Sequence, residues 1–118
     1  MKHLEFRYGF DFNQTIGEVV LPPSLTQLTF GGDFNKPIGE GVLPSNLIHL
    51  TFGRYFKQPI GFIMSLLKLE QLTFGSSFNH SIGEGVLPAG LTHLTFGWNF
   101  NQPIGEGVLP PGCVLVRL

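Results

Sequence analysis

Apolar positions fall in two recurring phrases. In Leu47-Ile48-His49-Leu50-Thr51-Phe52 apolar and polar residues alternate and β-formers dominate, which predicts a short strand with one buried face. Gly53 ends the phrase, and the expectation there is a tight bend at positive φ. The second phrase is Pro37-Ile38-Gly39-Glu40-Gly41-Val42-Leu43-Pro44. Prolines at both ends and two interior glycines exclude an α-helix and leave turns and extended chain.

Both phrases return at a period of 22. LTFGGDFNKPIGEGVLP from Leu28 reappears as LTFGSSFNHSIGEGVLP from Leu72 and LTFGWNFNQPIGEGVLP from Leu94. Phe30, Phe52, Phe74 and Phe96 form one aromatic column, with Tyr8 a period earlier, and Phe12, Phe34, Phe56, Phe78 and Phe100 form a second. An uninterrupted repeat of this length means coils stacked along one axis. The predicted fold is mainly β, a leucine-rich-repeat-like β-solenoid with one parallel sheet and little or no α-helix. The chain, 1–118, is read as a single repeat domain. Its rungs fall at about 3–24, 25–46, 47–68, 69–90 and 91–112, with a partial strand at 113–118.

The phrase L-T-F-G-x-x-F-N-x-P-I-G-x-G-V-L-P resembles the FNIP repeat, a unit akin to the leucine-rich repeats. Leu25-x-x-Leu28-x-Phe30 and Leu91-x-x-Leu94-x-Phe96 carry the leucine-rich strand signature. The resemblance implies a solenoid scaffold and says little about activity. Such repeats accompany F-box or kinase domains, and residues of neither kind occur among these 118. The third repeat departs from the pattern, with Lys57 in place of asparagine and Phe62-Ile63-Met64-Ser65-Leu66-Leu67 in place of E-G-V-L-P-x.

Composition narrows the function classes. Seven Lys and Arg against eight Asp and Glu leave no broad basic surface for nucleic acid. No apolar run reaches the roughly 20 residues that cross a bilayer, and the N-terminus is not a signal peptide. One cysteine, Cys113, allows neither an internal disulfide framework nor a cysteine zinc site, so the expected compartment is intracellular, cytoplasmic by default. There is no nucleophile elbow, phosphate loop or H-E-x-x-H motif, and near-identical rungs offer no pocket of unlike polar groups. The expectation is a non-catalytic protein with no cofactor and no metal. His49 and His93, two rungs apart, are too distant to share an ion, and Glu18, Glu40, Glu84 and Glu106 form a line rather than a converging cage.

Stacking turns each repeat position into a ladder. Asn13, Asn35, Asn79 and Asn101 are predicted to bond to one another and to turn backbone, interrupted by Lys57. Thr29, Thr51, Thr73 and Thr95 face outward from the strands. Two positions earlier stands the outward column Glu5, Gln27, His49, Gln71, His93, Leu115.

Recognition is expected where the ladders break. Just past the glycine bend the sequence varies, and Phe10, Arg54, Tyr55 and Trp98 are of the types that anchor interfaces. The apolar insert Phe62, Ile63, Met64, Leu66 and Leu67 is either a short segment buried on the core or an exposed patch for a partner. At the ends nothing polar caps the strands. This implies either self-association, through Val114 and Val116 as a two-fold dimer, or further rungs beyond the sequence. The leading reading is a scaffold that binds another protein; the rival is a self-assembling solenoid unit.

Overall fold

A computed structural model of the protein describes residues 21–39 and 41–118, together with the backbone of strand β1 (His3–Glu5). Five further short strands follow: β2 (Gln27–Thr29), β3 (His49–Thr51), β4 (Gln71–Thr73), β5 (His93–Phe96) and β6 (Val114–Arg117). All pair in parallel, in chain order, as one six-stranded sheet. No α-helix occurs among the described residues; the third repeat contributes a 3-10 helix over Gly61–Ser65. The chain is a leucine-rich-repeat-like parallel β-solenoid.

Strands β3, β4 and β5 are shorter than the alternating phrase because each begins where two successive N–H groups share one carbonyl. The N–H groups of Ile48 and His49 both donate to the Thr26 carbonyl, at 2.8 and 3.1 Å. Glu70 and Gln71 do the same to Ile48, and Thr92 and His93 to Glu70. The doubled donors leave Leu-x-x-Leu two inward leucines with two residues between them. Leu25, Leu47, Leu69 and Leu91 are thereby buried alongside Leu28, Leu50, Leu72 and Leu94.

The core is a double stack of rings. Within each rung the two phenylalanines lie face to face, with centroids at 4.3 Å (Phe30 and Phe34), 4.0 Å (Phe52 and Phe56), 3.9 Å (Phe74 and Phe78) and 3.6 Å (Phe96 and Phe100). Between rungs the first column continues at 5.3, 5.6 and 5.8 Å with planes within 7°. Parallel rings at this spacing contribute about 0.5–1.5 kcal/mol per pair beyond the area they bury. Ile38, Ile60 and Ile82 close the core on the return side.

The glycine after each strand serves a purpose other than the one expected. Positive φ occurs at Gly41, Gly85, Gly107 and Gly112, on the return path, and not at Gly31, Gly53, Gly75 or Gly97. Those four are glycine because their backbones touch. A Cβ on Gly53, Gly75 or Gly97 would lie 2.6 Å from the carbonyl carbon of the glycine one rung earlier.

The register also departs from a strict period at both ends. Leu4, not Phe6, pairs with Leu28, so Glu5 faces Thr29 and His3 faces Gln27. At the other end Leu115 pairs with Leu94 and Val114 with His93. Leu115 therefore leaves the outward column and joins the inner one, while Val114 and Val116 face out. The cause is the spacing of apolar residues, since Cys113-x-Leu115 has one residue where other rungs have two, and burial of the leucine sets the pairing. Val114 accordingly makes a single bond to the Thr92 carbonyl, without a bulge. The same slip brings Arg117 opposite Phe96, in the phenylalanine column, where its guanidinium lies 5.5 Å from the Phe100 centroid. The aromatic stack thus does have a polar cap, a cation over a ring face.

Asparagines do form a ladder, from side chain to backbone rather than amide to amide. The Asn35 Oδ1 accepts the Lys57 N–H at 3.0 Å and Gln58 Nε2 at 3.0 Å, and the Asn79 Oδ1 accepts the Asn101 N–H at 2.9 Å. Gln58, His80 and Gln102 each donate to the carbonyl of the ladder residue one rung before. Asn13 lies outside the described residues, as do Tyr8, Phe12, Glu18 and Glu40. Lys57 interrupts the ladder because an ammonium has no acceptor to offer the Asn79 N–H.

Two stability predictions follow from these columns. In urea denaturation, Gly75→Ala is expected to cost about 1–3 kcal/mol or more, because backbone must shift. Gly83→Ala, where nothing lies within 4 Å of the new methyl, should stay within about 0.5 kcal/mol. Equal midpoints for the two would contradict the close approach. Lys57→Asn restores the missing acceptor and is expected to stabilise by about 0.5–1.5 kcal/mol; a loss of stability would count against the ladder.

Candidate functional site

Past each of β2, β3, β4 and β5 the chain makes a two-residue turn between two buried phenylalanines. The N–H of Phe34, Phe56 and Phe100 donates to Gly31, Gly53 and Gly97 at 3.4, 3.5 and 3.3 Å, closing Gly-x-x-Phe β-turns. With a touching glycine on one flank and a buried ring on the other, the two central residues point outward. The turns also pair with each other: Tyr55 N–H donates to the Gly32 carbonyl at 3.1 Å, Ser77 to Arg54 at 3.0 Å and Asn99 to Ser76 at 3.3 Å. The edge is therefore an ordered ladder, and its side chains occupy fixed rungs.

Three of the four residues singled out for recognition sit on this edge; Phe10 lies outside the described residues. Trp98 is 82% exposed and Tyr55 47%. Arg54 is exposed too, with its guanidinium 4.9 Å from the centroid of the Tyr55 ring. Tyr55 and Trp98 stand two rungs apart, roughly 10 Å by strand spacing. Ser76 and Ser77 occupy the rung between. Both serines are half-buried, and in the turn register Arg54, Ser76 and Trp98 share one column while Tyr55, Ser77 and Asn99 share the next.

Charge is divided between the two sides of the coil. The turn segments 31–37, 53–59, 75–81 and 97–103 hold Lys36, Arg54 and Lys57 against Asp33. The return segments hold Glu70, Glu84 and Glu106 against Lys68. In a chain of net charge −1, the turn edge is thus locally cationic.

The apolar insert divides between its two alternatives. Phe62, Ile63 and Leu66 are buried, with Phe62 edge-on to Phe52 at 6.2 Å, while Met64 at 53% and Leu67 at 77% face solvent. Ser65 Oγ, on the same 3-10 helix, donates to the Phe62 carbonyl at 2.8 Å. Ser65 also borders an open groove of about 380 Å³ lined by Leu21, Pro23, Val42 and Leu43. At the far end, Val114 and Val116 are exposed on the outer face of β6. Leu118, whose N–H bonds the Phe96 carbonyl at 3.1 Å, continues that apolar strip toward the Trp98 turn and was not anticipated.

The outward histidines have local partners. His49 Nδ1 accepts from Gln27 Nε2 at 3.0 Å, and His93 Nδ1 lies 3.0 Å from Thr92 Oγ1. Glu84 and Glu106 are exposed. Among the described residues, no three His, Cys, Asp or Glu side chains converge as a metal site would require. Burial pushes the Cys113 thiol above its ordinary pKa, so it stays protonated at neutral pH. No helix among the described residues is long and apolar enough to cross a membrane.

Comparison with known proteins agrees with the geometry. No curated protein matches the chain. Among solved structures, the chain is similar to CroV588, described as a novel circular LRR protein, with a TM-score of 0.77 and 42% identity. The match covers 98% of this chain and 20% of that one, so the chain spans about a fifth of its neighbour's length. The family model described as FNIP Repeat matches residues 1–33, 12–53, 34–77, 67–97 and 78–118, which tile the sequence from end to end. With its phenylalanine columns, glycine contacts and asparagine ladder in the same 22-residue frame, the chain belongs to the FNIP repeat family.

Proposed function

We propose that the chain is a non-catalytic scaffold that binds another protein along the turn edge, with Arg54, Tyr55 and Trp98 as anchors. One observation carries the reading: a tryptophan 82% exposed on a hydrogen-bonded ladder, in a fold that has buried columns for its aromatics. Large aromatics left in water on ordered backbone lose little conformational freedom on binding and supply much apolar area, which is how interface anchors behave. The single cysteine suits an intracellular setting. In quantitative affinity capture, the double variant Tyr55→Ala/Trp98→Ala is expected to lose its bound protein at least tenfold while the circular dichroism spectrum is unchanged. A Glu84→Ala/Glu106→Ala control should retain capture. Undiminished capture by the double variant would refute the assignment.

A second reading, homo-oligomerisation, is favoured by the outer face of β6. Val114 and Val116 take the positions filled by His93 and Thr95 in the strand beside them. An apolar strip there matches a surface that associates with a copy of itself. Val114→Glu/Val116→Glu should convert the associated species to monomer in sedimentation velocity at tens of micromolar. A wild-type chain already monomeric at that concentration would rule out this reading.

A further inference from the structure

We propose that the partner's contribution to the turn edge is an extended, carboxylate-bearing segment that lies along the turns against Arg54 and Lys57, with Tyr55 and Trp98 beside it. This rests on the reading that the edge binds protein, and it names the chemistry of the segment bound. Tyr55 and Trp98 supply exposed apolar area on two rungs of the edge, and the rung between them carries Ser76 and Ser77. The serine hydroxyls can donate to or accept from the backbone of a chain lying along the turns.

Charge decides which segment lies along the edge. Arg54 is already held over the Tyr55 ring, at 4.9 Å, so its planar fork is partly ordered before any partner arrives. A carboxylate would meet it in bidentate geometry. Lys57 is exposed three residues on in the same turn segment, and Lys36 belongs to the neighbouring rung. Asp33 is the only carboxylate in the four turn segments. The opposite side of the coil, with Glu70, Glu84 and Glu106, repels the same ligand, so an acidic segment is steered to one edge and in one orientation. A nucleic acid fits less well, because three cations are fewer than the six to ten phosphate contacts of a typical backbone binder.

Trp98 is the only tryptophan in the chain, so its emission reports directly on the turn edge. The test titrates the intact chain with three probes: a nonapeptide alternating glutamate and leucine, the same peptide with lysine for glutamate, and an oligouridine. The acidic peptide is expected to shift Trp98 emission saturably, at least tenfold more tightly than the basic one. It should weaken about tenfold in roughly 0.5 M NaCl, where the screening length falls to a few ångströms. Arg54→Glu/Lys57→Glu, at two exposed side chains, should abolish the response with an unchanged circular dichroism spectrum. A basic peptide or oligouridine that binds as well, or no response to the acidic peptide, would overturn the proposal. The affinity capture described above separates the two claims. Capture lost in Tyr55→Ala/Trp98→Ala but retained in Arg54→Glu/Lys57→Glu leaves the protein-binding edge standing and defeats the acidic segment. Capture retained in both defeats the two together.

Discussion

Every position in this chain must tolerate an equivalent of itself one rung away. That constraint selects the residues of each column. Phenylalanine stacks on phenylalanine because parallel rings at 5.3–5.8 Å keep their contact from rung to rung. Glycine lies on glycine because a single added carbon would enter the backbone below. Asparagine recurs because its short amide reaches the N–H of the next rung while its own carbonyl takes the next glutamine. At Lys57, which cannot do this, the column is interrupted, and at Arg117 the aromatic column ends with the guanidinium over the exposed ring face.

The same constraint leaves a few places where sequence can vary without damage to the coil. The two central residues of each Gly-x-x-Phe turn are outside the stack, yet their backbone is tied to the next turn. Variation there changes the surface without loosening it. This is the setting in which Arg54, Tyr55 and Trp98 stand exposed on an edge with a cationic flank. The insert in the third repeat follows another logic: it replaces the glycine turn with a 3-10 helix and buries three of its five hydrophobes in the gap it makes.

Much of this was legible in the residues alone. The period, the parallel sheet, the two aromatic columns and the outward turns all follow from apolar spacing, which records burial directly. What was hidden depends on quantities that spacing does not carry. The glycine column read as a conformational requirement, although its cause is a contact with a backbone 22 residues earlier. Positive φ belongs to the glycine of the E-G-V turns instead. The slips at β1 and β6 were masked because the repeat frame is counted over whole rungs, whereas pairing is set locally by which leucine is buried. Only that slip brings Arg117 opposite Phe96 and onto the Phe100 ring.

The claim beneath all of this is that equivalent residues of successive repeats face each other across one strand spacing. Engineered disulfides measure it directly. With Cys113→Ser as background, Thr51→Cys/Thr73→Cys places two thiols on adjacent strands as registered partners, at about the 4.8 Å strand spacing and within the Cα separation a disulfide spans. Thr51→Cys/Thr95→Cys places them two strands apart, near 10 Å and out of reach. Under mild oxidation the first pair should close nearly completely within the monomer and the second should stay reduced. Closure of the second pair at a comparable rate, or failure of the first, would contradict the stacked register.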